Sequence, residues 1–305
     1  MLKPLRIGTR ASKLAMTQAE KLRDTLLAAD ATLEISLHPM TTAGDKDLQA
    51  KLTDWGFKGL FTKELEDALL ANEIDIAVHS MKDMPSVLPD GLVLGNVLER
   101  DDPRDAWVSH KYASIENVPE GAIIGSSSIR RIAQLKYRYP HLKTVEFRGN
   151  VQTRLRKLEE GVADATFLAC AGLDRLGMSE HIRERIPAEI MLPAAAQGII
   201  ATECRADDID VRALLLRINH TDSMLRAVAE REMLLELDGS CRTAIAGLSE
   251  IRGDTLYLRG EVYAEDGSER QTYEAEAPVH LAESLGREVG AVLEVRSRHL
   301  LKKAG

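Results

Sequence analysis

Arginine stands against small or hydroxyl residues at three points of the chain: Thr9-Arg10-Ala11-Ser12, Ser126-Ser127-Ser128-Ile129-Arg130-Arg131 and Arg148-Gly149-Asn150. Each string marks the place where a strand-like pattern gives way to a helix-like one. A helix N-terminus offers unpaired N–H groups and partial positive charge, and the guanidinium adds a planar fork that matches a carboxylate or a phosphate. A lone arginine of this kind reads as a solvated or salt-bridged surface residue. Three such junctions in one chain point instead to a site for a ligand with several negative groups. Spacing does not separate carboxylates from phosphates.

Other strings could carry chemistry. His79-Ser80-Met81-Lys82-Asp83 follows an apolar strand pattern, so Lys82 and Asp83 project at a strand's carboxyl end. Asp83 either caps the turn or serves as a carboxylate that stabilises a developing cation or moves a proton. The run 54–61, Asp-Trp-Gly-Phe-Lys-Gly-Leu-Phe, has two glycines and several aromatics, which suits a mobile lid bearing Lys58 and Phe61, or an inert connection. Cys241 lies in Gly239-Ser240-Cys241-Arg242, just past a helical pattern, and is a candidate nucleophile or attachment point. Cys170 and Cys204 sit at or in apolar segments and read as core residues.

The elements that must position these groups alternate. A strand over 5–9 leads into a helix with Ala15, Ala19, Leu22 and Leu26 on one face, then an alternating run at Leu33, Ile35 and Leu37. A helix over 60–71 feeds a strand at 74–79, and another strand follows at 92–98. After the charged, proline-bearing stretch 99–104 the alternation restarts, with strands at 105–109, 122–125, 144–148 and 165–169 and helices at 129–138 and 151–160. The run 198–202 reads as a strand returning to the first sheet. From Thr221 the pattern changes to a long helix through Leu237, strands at 244–248, 255–262 and 271–277, an Asp266-Gly267 hairpin turn, and a terminal helix over 281–301. The fold class is α/β. The predicted division is a lobe of residues 1–99 with 198–217, a second lobe of 104–193 with a cleft between the two, and a smaller α+β domain of 221–305.

The chain has 305 residues, enough for two or three compact units. At 44% hydrophobic and 29% charged it has a globular composition, with no apolar run near the roughly 20 residues of a membrane helix. Its N-terminus lacks the pattern of a secretory signal, so a cytoplasmic location is expected. A net charge of -8 argues against broad nucleic-acid binding, so any anion site must be a local arginine cluster. Three widely spaced cysteines form neither a disulfide framework nor a zinc pattern.

Taken together, the segments resemble the porphobilinogen deaminase family over nearly the whole chain. The strings that carry the resemblance are Arg-Ile-Gly-Thr-Arg-Ala-Ser from Arg6, Lys-Gly-Leu-Phe-Thr-Lys-Glu-Leu-Glu from Lys58, Asp-Ile-Ala-Val-His-Ser-Met-Lys-Asp from Asp75, Ser-Ser-Ile-Arg-Arg from Ser127, and Arg-Gly-Asn-Val-Gln-Thr-Arg from Arg148. Leu-Pro-Ala-Ala-Ala-Gln-Gly, Glu-Cys-Arg and the Gly-Ser-Cys loop add to it. The resemblance implies two lobes similar to periplasmic binding proteins and a third domain bearing the cofactor cysteine. It implies a transferase of tetrapyrrole (heme, siroheme, chlorophyll) biosynthesis that joins four porphobilinogen molecules into hydroxymethylbilane and releases ammonia. The primer would be dipyrromethane in thioether linkage to Cys241, with no catalytic metal, and the growing polypyrrole chain would be held in the same site.

By the same resemblance Asp83 looks like the catalytic carboxylate, with Lys82 beside it. Arg10, Lys82, Arg130, Arg131, Arg148 and Arg154 resemble the residues that bind acetate and propionate groups of cofactor and substrate, and Ser12, Ser80, Ser127 and Arg175 are weaker members of that set. A monomer is implied, with uroporphyrinogen-III synthase as a downstream partner. Two departures stand out. Gly56-Phe57 occupies a place where the family often has two glycines, and Arg242-Thr243-Ala244 lacks the proline that frequently sits near Ala244. Neither is expected to abolish activity. Two other readings compete: a non-catalytic anion-binding protein on the same two-lobed scaffold, which leaves Cys241 and Asp83 without a task, and a transcription-regulator effector domain, for which no DNA-binding helical unit is visible.

Overall fold

A computed structural model describes residues 4–42, 61–237 and 243–301. The chain begins with β1 (Leu5–Arg10), α1 (Lys13–Ala29), β2 (Ile35–Met40), α2 (Lys63–Leu70), β3 (Ile76–Ser80) and β4 (Leu92–Val97). It continues through β5 (Asp105–Ser109), β6 (Ile123–Gly125), α3 (Ile129–Arg138), β7 (Lys143–Val145), α4 (Val151–Glu159), β8 (Ala165–Ala169), α5 (Cys170–Arg175) and β9 (Glu184–Arg185). Then come β10 (Ile200–Arg205), α6 (Ile209–Arg217), α7 (Thr221–Glu236), β11 (Ala244–Arg252), β12 (Thr255–Tyr263), β13 (Arg270–Pro278) and α8 (Ala282–Ser297). Two compact units result, Met1–Asp101 with Ile199–Met224 and Asp102–Gly198 with Leu225–Gly305. Among the described residues no helix is long and apolar enough to cross a membrane.

The first unit is built on a sheet of order β2-β1-β3-β10-β4. β1 pairs in parallel with β2 and β3, whereas β10 runs antiparallel to both β3 and β4. The run predicted to return to the first sheet does so, inserted between two earlier strands. Ser12 caps α1 by accepting from the Ala15 N–H at 3.3 Å, and the helix then lays Ala15, Ala19, Leu22 and Leu26 inward. The last three join Leu5, Ile7, Ile76, Val78 and Leu215 in one core. Burying a leucine of this kind contributes about 1.5–3 kcal/mol, so the inward face rather than intrinsic propensity holds α1 to the sheet.

In the second unit the first sheet has order β7-β6-β8-β5-β9, again parallel except for one inserted strand, β5, which runs antiparallel to β8 and β9. The strand predicted over 144–148 stops at Val145. Phe147 turns into the core, where a Cβ on Gly125 would lie 2.5 Å from its ring, so that glycine is required by close approach. Trp107 and Phe167 pack with centroids 5.4 Å apart and tilted rings in a separate cluster of the core. Two helices, α5 and α6, and the two-residue β9 are absent from the periodicity reading. They are short and their apolar stripes cover barely two turns.

The same unit carries the antiparallel sheet β11-β12-β13, covered by α7 and α8 around Met233, Leu258, Val262, Val289 and Leu293. It meets α3 through Ala133, Ala244 and Tyr263, and Tyr137 packs on Tyr263 at 5.7 Å. The Asp266-Gly267 turn links β12 to β13, with Gly267 at φ +77 and its Cα against Lys136 and Tyr137.

Candidate active site

In an open α/β sheet, ligands bind beyond the carboxyl ends of the strands, where successive crossovers depart to opposite sides. In the first unit that point lies between β1 and β3. Arg10 ends β1, Ser80 ends β3, and Met81–Asp83 forms the following 3₁₀ turn. A cavity of about 70 Å³ opens there, lined by Arg10, Ser12, Phe61, His79, Ser80 and Asp83 among others. The cavity therefore brings together Arg10, Ser12, Phe61, Ser80 and Asp83 from the sequence-predicted residues of this unit. Asp83 is exposed and Lys82 half-buried beside it. Arg10 stacks over the Phe61 ring at 4.2 Å, which spreads the guanidinium across the cavity wall. Gln18 donates to Ser80 Oγ at 2.8 Å, orienting that hydroxyl.

Among the wall residues that no sequence motif assigned to a site are Gln18 and His79. Gln18 reads as one more polar position on α1, and His79 as the end of an apolar strand. His79 is buried, with Nε2 3.2 Å from Glu203 on β10. Glu66 of α2 is buried nearby, and burial raises its pKa.

The corresponding point of the second unit lies between β6 and β8. Ser128 caps α3, accepting from Arg131 N, and Asn150 caps α4, accepting from Thr153 N at 2.9 Å. Ser127 Oγ accepts from Phe147 N at 3.0 Å, so this serine joins the strand ends to each other. Arg130 and Arg131 are buried and converge on Asp105, which no sequence motif singled out. Arg131 donates from Nε and from its terminal nitrogen to Asp105 Oδ1 at 3.2 and 2.6 Å, and to the Phe167 carbonyl at 2.9 Å. Arg130 lies 2.8 Å from Oδ2 and donates to the Leu192 carbonyl at 2.7 Å. Gln197 donates to Oδ1 at 3.0 Å. Burial pushes the Asp105 carboxyl up, but the two arginines outweigh it and hold it well below the usual carboxylate range.

Arg154 of α4 donates through Nε to the Gly149 carbonyl at 2.9 Å, and burial together with the nearby Arg131 lowers its pKa to about 10. Arg148 turns aside to Glu146 at 2.6 Å, and Arg175 donates to the Gly198 carbonyl at 2.6 Å. Lys58 and Cys241 lie outside the described residues, as do Gly56, Phe57 and Arg242. Cys170 and Cys204 are buried thiols whose pKa values are pushed by burial to about 12 and about 11, which fits core residues. Among the described residues no cluster of His, Cys, Asp and Glu could hold a metal ion.

The donor set is thus guanidiniums, hydroxyls and helix N-termini, with one exposed carboxylate in the first unit. It suits a ligand bearing several carboxylates. Residues 5–213 match the family model described as porphobilinogen deaminase, dipyromethane cofactor binding domain, and residues 224–294 match the model of the porphobilinogen deaminase C-terminal domain. A porphobilinogen deaminase of Paracoccus denitrificans (strain Pd 1222) is 54% identical over 296 residues, 96% of this chain and 95% of that protein. One of Syntrophomonas wolfei subsp. wolfei (strain DSM 2245B / Goettingen) is 47% identical over 304 residues, 100% of this chain and 97% of that protein. Among solved structures, a periplasmic substrate-binding protein of an ABC transporter from Coxiella burnetii matches with a TM-score of 0.43 and 14% identity, covering 74% of this chain and 96% of that one. The two family models and the two full-length relatives agree, and this chain belongs to the porphobilinogen deaminase family.

Proposed function

We propose that the chain condenses four porphobilinogen molecules head to tail into hydroxymethylbilane, releasing ammonia, on a dipyrromethane primer attached through Cys241. The observation that carries the reading is the cavity at the carboxyl ends of β1 and β3 on which Arg10, Ser12, Ser80 and Asp83 converge. The arginines and capped helix starts fit the acetate and propionate groups of a dipyrromethane. Arg130, Arg131 and Ser127 would hold it, with Lys82, Asp83 and Ser80. When bound, the primer supplies the nucleophilic terminal pyrrole carbon.

Asp83 acts on the substrate. As the aminomethyl C–N bond breaks and ammonia leaves, positive charge develops on the pyrrole, and a carboxylate facing it lowers that barrier electrostatically. Arg10 and Ser12 orient the incoming porphobilinogen through its carboxylates, with Arg148, Arg154 and Arg175 engaging those of the lengthening chain. Lys58 and Phe61 would cover the site, in keeping with the Arg10–Phe61 stack. The product would pass to uroporphyrinogen-III synthase.

Two measurements test this. The intact mass of the purified chain, followed by peptide mapping, should show an excess of two linked pyrroles on Cys241. Asp83→Asn should lower kcat at least about a hundredfold, the scale of removing a preorganised charge, with melting temperature and primer mass unchanged. Near-normal turnover would refute the role of Asp83. A chain that neither carries the mass nor gains it from porphobilinogen would favour the non-catalytic anion-binding alternative.

A further inference from the structure

β5 is the inserted antiparallel strand of its sheet, and its register pairs Asp105 with Ala169, the last residue of β8. The first residue of β5 is thereby delivered to the carboxyl edge of the parallel strands, where α3 and α4 begin. There Asp105 is fully buried, ion-pairs with Arg130 and accepts hydrogen bonds from Arg131 and Gln197. Gln197 also donates to the Pro103 carbonyl at 2.7 Å, so the carboxylate is tied to the backbone on either side. A guanidinium has more N–H donors than these contacts use. Arg130 and Arg131 share one carboxylate, with Arg154 close to Arg131, and an excess of buried positive charge is costly until an anion joins it.

We propose that Asp105 is a positioning residue for the dipyrromethane site: it clamps Arg130 and Arg131 so that their remaining donors face the cofactor's carboxylates, and it neutralises only part of their charge. The inference rests on the reading of that site given above. Asp75 supplies the control. It too is fully buried and paired with two arginines, Arg6 and Arg205, but at the amino edge of the other unit's parallel strands.

The test compares Asp105→Asn with Asp75→Asn, each refolded without cofactor, checked by thermal melting, and incubated with porphobilinogen while intact mass is followed. The wild-type chain must gain the mass of two pyrroles, and its failure would sink the cofactor reading itself rather than the role of Asp105. Asp105→Asn should reach a dipyrrole-bearing fraction about tenfold lower, the scale of misaligning one charge-assisted pair, and any holoenzyme recovered should show a raised KM. Asp75→Asn should load fully despite a lower melting temperature. Full loading of Asp105→Asn, or equal losses in both variants, would overturn the proposal. If Asp105→Asn yields no folded protein, Gln197→Met removes one donor from the same carboxylate. A loading defect of a few-fold supports the proposal, and wild-type loading with unchanged KM rejects it.

Discussion

Asp75 in the first unit and Asp105 in the second are both fully buried aspartates held between two arginines, and they differ in which end of the sheet they occupy. Asp75 precedes β3 and meets Arg6, early in β1, and Arg205, at the end of the antiparallel β10. That is the amino edge, away from the cavity, and Arg205 spends its other donors on the carbonyls of Leu69 and Ile74 and on Asp208. Asp105 stands at the carboxyl edge, where α3 and α4 begin. One sheet end closes the fold and the other receives ligand. The same three-residue chemistry is a structural tie in one place and, on the proposal above, part of a binding site in the other.

Solvent makes the two pairs unequal in energy as well. The side chains of Arg130 and Arg131 are each 7% exposed, against 29% for Arg6 and 13% for Arg205. Removing the carboxylate from the second unit strands two buried cations, which costs about 3–5 kcal/mol. Asp105→Ala should therefore lose that much in urea unfolding, and Asp75→Ala about 1–3 kcal/mol because Arg6 can turn to water. Equal losses would break the comparison.

The same carboxylate can be removed by protonation. Burial raises the Asp105 pKa, and Arg130 and Arg131 lower it further, leaving it depressed in the folded protein. A depressed carboxyl stabilises the fold at every pH above its unfolded value of about 3.9, and the contribution fades as pH falls through the folded value. Below about pH 4 the stability of the wild type should fall more steeply with acid than that of Asp105→Asn, which has no proton to gain. Parallel curves would show that the ion pair contributes nothing to folding.

Much of this was legible in the sequence, for physical reasons. Ser12, Ser128 and Asn150 announce helix starts because a short side-chain oxygen there satisfies a backbone N–H. Ala15, Ala19, Leu22 and Leu26 repeat at helical spacing because one face is buried. The arginines were visible as a type, and Arg10, Ser12, Ser80 and Asp83 do share a cavity. Their partners were not visible. Asp105 is 26 residues from Arg131 and joins it only because β5 is inserted antiparallel, a choice set by the whole sheet. Gln197 reaches the same carboxylate from 92 residues away. Periodicity reports which face is buried, and it is silent about which strands become neighbours.

Gly149 offers a smaller test on the ligand edge. Its φ of +121 lies where only glycine is comfortable, and a Cβ would lie 2.6 Å from Thr153 Cγ2. Its carbonyl also receives Arg154 Nε. Gly149→Ala should cost about 1–3 kcal/mol and weaken dipyrrole loading as well, because the strain falls on the turn that aims Arg154.

Arg6→Lys is the mildest change and the sharpest contrast. Arg6 grips Asp75 with Nε and a terminal nitrogen at 2.9 and 2.8 Å and holds the Asn72 carbonyl at 2.7 Å, a planar arrangement that an ammonium cannot copy. The positive charge survives, Arg205 still pairs with Asp75, and Arg6 is partly in water, so the loss should be only about 0.5–1 kcal/mol. Primer mass, kcat and KM should match the wild type, since Arg6 and Asp75 lie at the sheet edge opposite the cavity. A loading or KM defect in Arg6→Lys would show that strain passes along β1 to Arg10, and the division of labour between the two sheet ends would have to be given up.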